Sequence, residues 1–312
     1  VLKGAVEKAG IEYMTETPVV EMIRKGDMVV GVVAKHKGKE ITVRARRAVV
    51  LATGGFEFDQ ESLMNFTMGT GIGALGNPGN TGDGLRLAQS MGAKLWHMNA
   101  YSAGLDVRYP GYATNVAASL KGAGYIWVDQ DGKRFVNELA NRKVRADAIV
   151  AMGHPAVIYT TLKNAETAII GKNMTKELYD RAVKNGVIKV YPDLKTMADD
   201  LKIPFDALKK TNDTFNGYIK DQKDPDFNCM MFKNAVPNVE GPFLAVRLWP
   251  RVHHTMGGLE INDQAQVLDV RGNPIQCLYA AGEVTGGVHG MVRLGTVAVA
   301  DCMIFGRIAA RT

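Results

Sequence analysis

The sequence predicts an α/β protein in which one sheet domain is interrupted by a second domain of α+β texture. A β-rich run, Arg47–Ala52, leads directly into Thr53-Gly54-Gly55, and a strand that feeds a glycine loop is typical of the ligand-binding edge of an α/β sheet. Strand-like runs and glycine loops return near the C-terminus, whereas the middle of the chain alternates short strands, helices and charged turns. We therefore predict a sheet domain built from residues 1–95 and 241–312, and an inserted domain of residues 96–240.

The first part of the chain is predicted to be a short helix followed by strands. Residues 2–9 form the helix, which ends at Gly10. Residues 11–24, 28–35 and 40–45 are rich in β-branched residues and are predicted to be strands, because turns containing glycine separate them.

Two helices and a glycine-rich segment follow. Residues 59–66 and 83–91 are predicted to be helical, the second closed by Gly92. Residues 71–76 have the spacing GxGxxG, but a dinucleotide fingerprint must follow a buried strand and open a helix. Neither condition is met here, so we predict a mobile loop.

The inserted domain and the C-terminus contain further helices. The helical runs of the insertion are 141–152, 174–184 and 205–220, and its short strands are 125–128 and 134–136. The segment from Asp193 to Lys220 is predicted to form two amphipathic helices that each bury one face. Residues 296–311 are small and apolar and are predicted to form the last helix.

Composition excludes several classes of protein. The 312 residues are 46% apolar and 22% charged, a balance typical of globular proteins. No apolar run reaches the roughly 18–20 residues that span a bilayer. The net charge of +6 is mild and its cations are scattered, so nucleic-acid binding is not expected. Cys229, Cys277 and Cys302 lie far apart without metal-ligand spacing, so neither a disulfide framework nor a metal site is expected.

The last sixty residues carry the strongest functional pattern. Segments 253–258, 281–290 and 293–296 combine histidines, an acid and an arginine with many glycines. Glycine lets a backbone approach a flat ligand closely. Histidine and arginine supply hydrogen-bond donors for an anionic substrate or a developing negative charge. The combination favours a cofactor enzyme over a simple binding module.

These motifs carry a family resemblance. The C-terminal motifs are HHTMGG, AGEVTGGVHG and RLG, and the upstream ones are VVLATGGFE, GNTGDGLRLAQSMGA and DGKRFVNE. In this order they resemble the soluble fumarate reductase, or flavocytochrome c-like, branch of the fumarate reductase/succinate dehydrogenase flavoproteins. The resemblance covers nearly the whole chain. It implies an FAD cofactor, a Rossmann-like FAD-binding domain interrupted by a capping domain, and reduction of a carbon–carbon double bond in an unsaturated carboxylate.

One family feature is not found in this sequence. The family has its GxGxxG fingerprint upstream of the strands with which this sequence opens, and the FAD pyrophosphate sits on the helix that follows it. We therefore expect the chain to be a truncated gene product, a fragment or one half of a split enzyme, with an incomplete FAD-binding domain. We expect it to bind FAD poorly on its own.

The resemblance implies three catalytic residues. Arg142, which follows the FVNE segment, corresponds to the arginine that protonates the substrate after hydride transfer from flavin, and Arg145 one helical turn later is the alternative. His253 and Arg293 correspond to ligands of a substrate carboxylate. The remaining members of the predicted substrate-binding set are His97 and Thr255.

The resemblance also implies a set of cofactor contacts. Glu283 corresponds to an acid near the ribityl or ribose hydroxyls, and the start of the last helix would lie near flavin N1. The full predicted set is Gly54, Gly55, Thr81, Gly82, Asp83, Gly84, His254, Gly282, Glu283, Gly286, Arg293, Gly295 and Thr296.

Departures from the family pattern point to the substrate class. Ala117 and Ala118 stand where fumarate reductases have a Thr-Glu pair, and Val292 replaces an asparagine. We therefore expect a 2-enoate with one carboxylate, of acrylate, cinnamate or urocanate type, rather than fumarate. The aromatic residues that could face its tail are Trp96, Tyr101, Tyr109 and Tyr112.

Two alternative functions stay open. One is a ketosteroid-type flavin dehydrogenase, and the other is a non-catalytic or split-subunit flavoprotein fragment. For an active reductase we expect an electron-donor domain or protein, linked to haem, FMN or quinol, outside this chain. The sequence does not distinguish a cytoplasmic from a periplasmic location.

Overall fold

The protein was analysed as a computed structural model that describes residues 2–67, 71–106, 124–172, 174–230 and 235–311. The chain divides into two compact units. Unit 1 consists of Val1–Ser62, Asn77–Tyr101 and His254–Thr312, and unit 2 of Leu63–Gly76 and Ser102–His253. The predicted domain bounds stay a prediction, from which these units differ at residues 63–76, 96–101 and 241–253.

Helices occur in both units, and most begin where the sequence predicts. The α-helices of the described residues are α1 (Leu2–Lys8), α2 (Gln60–Phe66), α3 (Asp83–Ser90), α4 (Arg142–Met152), α5 (Leu162–Ala168), α6 (Lys176–Lys184), α7 (Leu194–Leu201), α8 (Phe205–Asp221) and α9 (Val297–Arg311). A short 3-10 helix covers Gly282–Val284. Within the described ranges, no helix combines the length and the apolar character needed to cross a membrane.

Fourteen strands are present in the described part of the chain. They are β1 (Val19–Lys25), β2 (Met28–His36), β3 (Lys39–Arg44), β4 (Val49–Leu51), β5 (Gly73–Ala74), β6 (Leu95–Trp96), β7 (Tyr101–Asp106), β8 (Ile126–Val128), β9 (Ala156–Thr161), β10 (Lys189–Tyr191), β11 (Phe243–Thr255), β12 (Gly258–Leu259), β13 (Gln266–Leu268) and β14 (Pro274–Ala280). The predicted α/β fold class is confirmed.

Three local predictions are wrong. No strand covers residues 134–136, where Arg134 forms only an isolated bridge with Val128. The first strand begins only at Val19, because Pro18 has no N–H to donate to a sheet and Glu16 adopts a left-handed φ of 52°. The segment 71–76 is not simply a loop, since Gly73 and Ala74 pair in parallel with Arg251 and Val252 of β11. Glycine permits this pairing, because a Cβ at Gly73 would lie 2.9 Å from Arg251 Nη1.

The unit 1 sheet brings two loops to one edge. Its strand order is β1-β2-β14-β13, with β3 beside β2 and β4 beside β14. β4 and β14 run parallel, and Val49–Leu51 pairs with Leu278–Ala280. The carboxyl ends of parallel strands lie at the same edge of a sheet. The loop after β4 and the 3-10 helix after β14 therefore emerge side by side.

Unit 2 packs helices on a second sheet. The strand order is β10-β11-β9-β8, and β5 and β7 also pair with β11. The two amphipathic helices predicted between Asp193 and Lys220 are confirmed as α7 and α8. Their buried faces join one apolar core with the strands, and the large members of this core are Ile126, Tyr159, Met197, Leu208, Phe215 and Phe243.

A buried ion-pair network fixes the FVNE segment just before α4. Arg134 donates two hydrogen bonds to Glu138, at 2.8 and 2.7 Å, and two to Asp224, at 3.1 and 2.8 Å. Asn141 then caps α4 by accepting a hydrogen bond from the Val144 amide at 3.0 Å. The network and the cap together determine where α4, and therefore its first residue Arg142, begins.

Replacing Arg134 with methionine should strongly destabilise the protein. The Arg134, Glu138 and Asp224 side chains are 5% exposed or less, so the variant leaves two carboxylates buried without their cation. We expect the free energy of unfolding to fall by about 3–5 kcal/mol in urea denaturation. The control Lys195→Met breaks a pair with Asp199 that is more than 60% exposed, and should cost under about 1 kcal/mol. Equal losses in both variants would contradict the assigned role of the network.

Candidate functional site

The glycine pair after β4 allows three polar side chains to close on the loop. A Cβ at Gly54 would collide with the Asn80 side-chain amide. A Cβ at Gly55 would collide with Thr255 Oγ1 and lie 2.6 Å from Glu283 Oε1. Gly54 also has a φ of 77°, which favours glycine. The two glycines thus bring side chains from distant parts of unit 1 against one backbone segment.

Two carboxyl groups, those of the buried Glu57 and the partly buried Glu283, lie beside this loop. Asn80 Nδ2 donates to Glu57 Oε1 at 2.7 Å and to Glu283 Oε2 at 3.4 Å. The Thr255 amide donates to Glu283 Oε1 at 2.8 Å. Glu57 is 0% exposed. Four segments of unit 1 therefore meet at one polar cluster. We call its two acids, Glu57 and Glu283, the carboxyl pair.

The carboxyl pair favours protonation. Burial raises the pKa of Glu57. Burial, and then the charge of Glu57, raise the pKa of Glu283 to about 7, whereas hydrogen bonds from Thr255 oppose the shift. Asn80 Nδ2 holds both side chains through one amide group. Because two like charges this close in a poorly solvated site repel each other, the pair favours a form in which one carboxyl group carries a proton.

The loop before α3 is bound to the glycine loop. The Gly82 amide donates to Gly55 O at 3.1 Å, and Gly82 adopts a left-handed φ of 73°. A Cβ at Gly84 would collide with Thr53 Oγ1, so glycine lets α3 pack closely against the end of β4. The predicted residues Gly54, Gly55, Gly82 and Gly84 therefore belong to one continuous surface.

Two other predicted residues of this segment have partners within the protein. Asp83 forms an ion pair with Arg86 at 2.6 Å in the first turn of α3. Thr81 Oγ1 donates to Gly79 O at 3.5 Å. Their predicted cofactor contacts stay predictions, and the geometry shows what holds each side chain in place.

The C-terminal motifs bring two histidines and an acid together in unit 1. His254 Nδ1 lies 4.0 Å from Glu283 Oε1, and its ring meets that of His289 edge to face at 5.3 Å. His289 Nε2 lies 3.7 Å from Asp301 Oδ2 on α9. Burial, and then the charge of Arg293, lower the pKa of His289, and burial raises that of Asp301. Both shifts favour the neutral forms.

The remaining predicted residues of unit 1 surround this group. Arg293 Nη1 donates to Gly295 O at 3.1 Å, just before α9. Gly282 opens the 3-10 helix with a φ of 77°. A Cβ at Gly286 would lie 2.5 Å from Trp96 O, so this glycine allows close backbone packing. Thr296, the last predicted residue, is exposed and directly precedes α9.

His97 has an unusual backbone conformation. Its φ of 54° is left-handed, which costs a non-glycine residue roughly 1–2 kcal/mol. Its ring lies 4.6 Å from that of Trp96. Its Nδ1 is buried and has no hydrogen-bond partner among the described residues. Such strain is concentrated at functional sites, which supports the prediction that His97 binds a ligand.

The predicted proton donor and a carboxylate ligand meet in unit 2. Arg142 Nη1 lies 3.3 Å from His253 Nε2, and Ser102 Oγ lies 3.4 Å from the same nitrogen. A guanidinium can only donate, so Nε2 accepts in the contact with Arg142, and the imidazole is neutral with its proton on Nδ1. Arg142 is exposed, which leaves its other donors accessible.

Arg145 has a different environment from Arg142. It is 2% exposed, donates to Glu138 O at 3.3 Å, and lies 5.2 Å above the Trp127 ring. Burial, and then the nearby charge of Arg142, lower its pKa to about 10. Arg142 is therefore the better placed of the two for contact with a substrate.

The start of α4 has excess positive charge. Its first turn has no acidic residue, although it contains Arg142, Lys143 and Arg145. Lys143 pairs with Asp147 at 2.8 Å, whereas the two arginines add to the positive end of the helix dipole. This arrangement destabilises the isolated helix but favours a bound anion.

Several predicted features cannot be placed. Ala117, Ala118, Tyr109 and Tyr112 lie outside the described residues. Conversely, the structure adds three residues that sequence reasoning missed, namely Glu57, Asn80 and Ser102. Glu57 and Asn80 stand inside motifs that were recognised by their glycines, so position alone could have indicated them. Ser102 has no sequence signal.

Comparisons with known proteins give consistent relatives. A family model described as FAD binding domain matches residues 1–299. The acrylate reductase flavoprotein subunit of Shewanella woodyi is 35% identical over 290 residues, covering 88% of this chain and 56% of that protein.

Two solved structures are similar over almost the whole chain. An open conformation of a flavocytochrome c3 fumarate reductase has a TM-score of 0.77 and 32% identity, covering 99% of this chain and 53% of that one. A 3-ketosteroid delta1-dehydrogenase from Sterolibacterium denitrificans has a TM-score of 0.86 and 26% identity, covering 99% and 61%. The chain thus spans little more than half the length of these proteins.

Adding a methyl group at Gly55 should disrupt the cluster beside it. In Gly55→Ala the new Cβ would collide with Thr255 Oγ1 and crowd Glu283, and overpacking of this kind costs about 1–3 kcal/mol. We expect a corresponding loss of unfolding free energy by urea denaturation. Gly4→Ala in α1 is the matched control, because its Cβ would meet nothing within 4 Å and alanine favours helix. A neutral Gly55→Ala would show that the loop is loosely packed.

Proposed function

The chain belongs to the family of FAD binding domains, and we propose that it forms part of a flavin-dependent reductase of the carbon–carbon double bond in a 2-enoate. The predicted FAD cofactor and the resemblance to fumarate reductase flavoproteins are confirmed. The observation that carries the proposed activity is the contact between Arg142 and His253, 3.3 Å apart at the positive end of α4. It combines a proton donor with a site for an anion.

The residues of unit 1 fit a flavin. Gly54 and Gly55 let polar side chains pack against one loop, and Glu57 Oε2 is a buried oxygen that accepts no hydrogen bond from an amide or alcohol of the described residues. Polar groups of this kind match the hydroxyl-rich chain of the cofactor. We propose that the cofactor is held by Gly54, Gly55, Thr81, Gly82, Asp83, Gly84, His254, Gly282, Glu283, Gly286, Arg293, Gly295 and Thr296.

When bound and reduced, the flavin would supply a hydride to the β-carbon of the substrate. Arg142 would then give a proton from its guanidinium to the α-carbon. Its positive charge and the start of α4 would stabilise the negative charge that develops on the carboxylate. Arg142 is exposed, so solvent would return the proton that its guanidinium gives up, and His253 Nε2 would hold the guanidinium in place by accepting a hydrogen bond from it. Arg293 is proposed as a further carboxylate ligand.

We propose that the substrate has a single carboxylate. This rests on the eroded second-carboxylate motif of the sequence, and the acrylate reductase subunit supports it as a relative that acts on a monocarboxylate. Val292, which replaces an asparagine, is 48% exposed in unit 1 and has no polar group to offer a second carboxylate. His97, whose Nδ1 has no hydrogen-bond partner in the described ranges, is proposed as the polar contact for the far end of the substrate.

A second candidate function has support from one comparison. The similarity to a 3-ketosteroid delta1-dehydrogenase favours a flavin dehydrogenase acting on an uncharged substrate. The excess positive charge of Arg142 and Arg145 at the start of α4 argues for an anion instead, because an uncharged steroid would not neutralise it. An electron-donor domain or protein is proposed as the redox partner, in line with the flavocytochrome name of one structural relative.

Replacing Arg142 should abolish turnover without affecting the flavin. General acid catalysis contributes about 10²–10⁴-fold, so Arg142→Met should lower kcat for enoate reduction at least a hundredfold. The FAD dissociation constant should stay within about twofold of the wild type. The assay uses FAD-loaded protein with a chemical reductant, and Arg181→Met on the exposed face of α6 is the control. If Arg142→Met keeps wild-type turnover while Arg145→Met loses it, the proton donor is Arg145.

A substrate panel tests the proposed specificity. An unpaired carboxylate in a buried site costs several kcal/mol, so fumarate should have a kcat/KM at least tenfold below the best monocarboxylate. The panel contains acrylate, cinnamate, urocanate and fumarate, with a 3-ketosteroid added to test the second candidate. Fastest turnover of fumarate would refute the altered substrate site, and oxidation of the steroid would favour the dehydrogenase.

A further inference from the structure

Glu57 is a buried acid that the proposed reaction does not use. It lies two residues beyond the glycine pair and is 0% exposed. Within the described part of the chain no cation is hydrogen-bonded to it, and the Asn80 amide donates to it at 2.7 Å. A buried carboxylate without a cation is costly, so a protein that keeps one needs a compensating arrangement. Its neighbour Glu283, in the motif assigned to the cofactor, suggests what that arrangement is.

The hydrogen bonds that Glu57 and Glu283 accept do not remove the repulsion between the two carboxyl groups. Glu283 Oε1 accepts from the Thr255 amide at 2.8 Å, and Glu283 Oε2 and Glu57 Oε1 share the single Asn80 Nδ2. A proton on one of the two carboxyl groups would remove the repulsion that these hydrogen bonds leave between them. Without that proton, two negative charges would face each other in a buried site.

Other charged groups near the pair do not replace the proton. His254 on β11 lies 4.0 Å from Glu283 Oε1, beyond hydrogen-bond distance. Arg293 also lowers the pKa of Glu283, but its effect is smaller than those of burial, Glu57 and Thr255. On α9, burial and then the charges of Asp301 and Glu283 raise the pKa of the Cys302 thiol, so this thiol supplies no positive charge to the pair. The described groups around Glu283 are thus Glu57, His254, Arg293, Asp301 and Cys302.

We propose that Glu57 is a positioning residue of the cofactor site, which shares one proton with Glu283 across Asn80 and so holds Glu283 ready to accept hydroxyl groups of the flavin side chain. Loss of the shared proton separates the two acids and weakens FAD binding. The proposal rests on the cofactor assignment and is independent of the substrate. We therefore expect the affinity for FAD to decrease as the pH rises through neutrality.

The pH dependence of stability has a definite sign. Glu283 has its pKa raised in the folded state, from 4.5 to about 7, so the folded chain keeps a proton that the unfolded chain releases in this window. Stability is therefore highest below pH 4.5 with respect to this group, falls as pH rises toward 7, and changes little above it.

Glu57→Gln tests the proposal in the flavin-free chain. Glutamine keeps the size and the hydrogen-bonding groups but removes the like charge, so Glu283 should ionise at a lower pH. We expect the wild-type Tm to fall between pH 5 and pH 7, and the fall in Glu57→Gln to be at most half as large. Glu40→Gln, an exposed residue of β3, should keep the wild-type profile. Identical profiles in Glu57→Gln and the wild type would overturn the proposal.

FAD affinity provides the second measurement. Flavin fluorescence quenching at pH 6 and pH 8 should show at least tenfold weaker binding to the wild type at pH 8, and a change of less than threefold for Glu57→Gln. Calorimetry of the wild type in buffers of different ionisation enthalpy should detect proton uptake on FAD binding at pH 7.5, which keeps the test valid if the variant does not fold. A pH-independent wild-type affinity, or no FAD binding at either pH, would overturn the proposal. Neither measurement involves turnover, so the enoate assignment can fail separately.

Discussion

The parallel pairing of β4 with β14 is the constraint on which the cofactor site of unit 1 depends. It brings the Gly54-Gly55 loop and the 3-10 helix containing Glu283 to one edge of the sheet. The glycines then allow Thr255 and Asn80 to reach the same spot, since any side chain at either glycine would occupy their place. The sheet topology determines where the polar cluster lies. The lack of a Cβ at both glycines determines how closely its side chains approach the loop.

In unit 2, positive charge lies at the N-terminus of a helix, where the helix dipole disfavours it. Arg142 and Arg145 begin α4 against its dipole. The Arg134 network and the Asn141 cap stabilise this start, and the ring of Trp127 accommodates the buried guanidinium of Arg145. Burial and hydrogen bonding nearby thus stabilise two arginines at the start of α4, a placement that is unfavourable by itself. The same placement suits a bound anion.

The sequence predicted the fold class, most helices and the cofactor, because ordered motifs and helical periodicity are local signals. It did not predict the carboxyl pair, because Glu57, Asn80 and Glu283 are separated by up to about 200 residues and meet only through strand pairing. The strand at Gly73–Ala74 was missed for a related reason, since its partner β11 lies far along the chain. The roles of Arg293 and Thr255 stay predictions, and the structure shows only what each side chain contacts.

His97 illustrates a compromise between folding and chemistry. Glycine or asparagine would adopt its backbone geometry with less strain, yet the position holds an imidazole whose Nδ1 finds no partner among the described residues. An engineer seeking thermostability would choose this position early, because relieving the torsion is a simple gain. If the imidazole binds a ligand, the stabilising substitution would weaken that binding. The native histidine then keeps ligand selectivity at the cost of thermal stability.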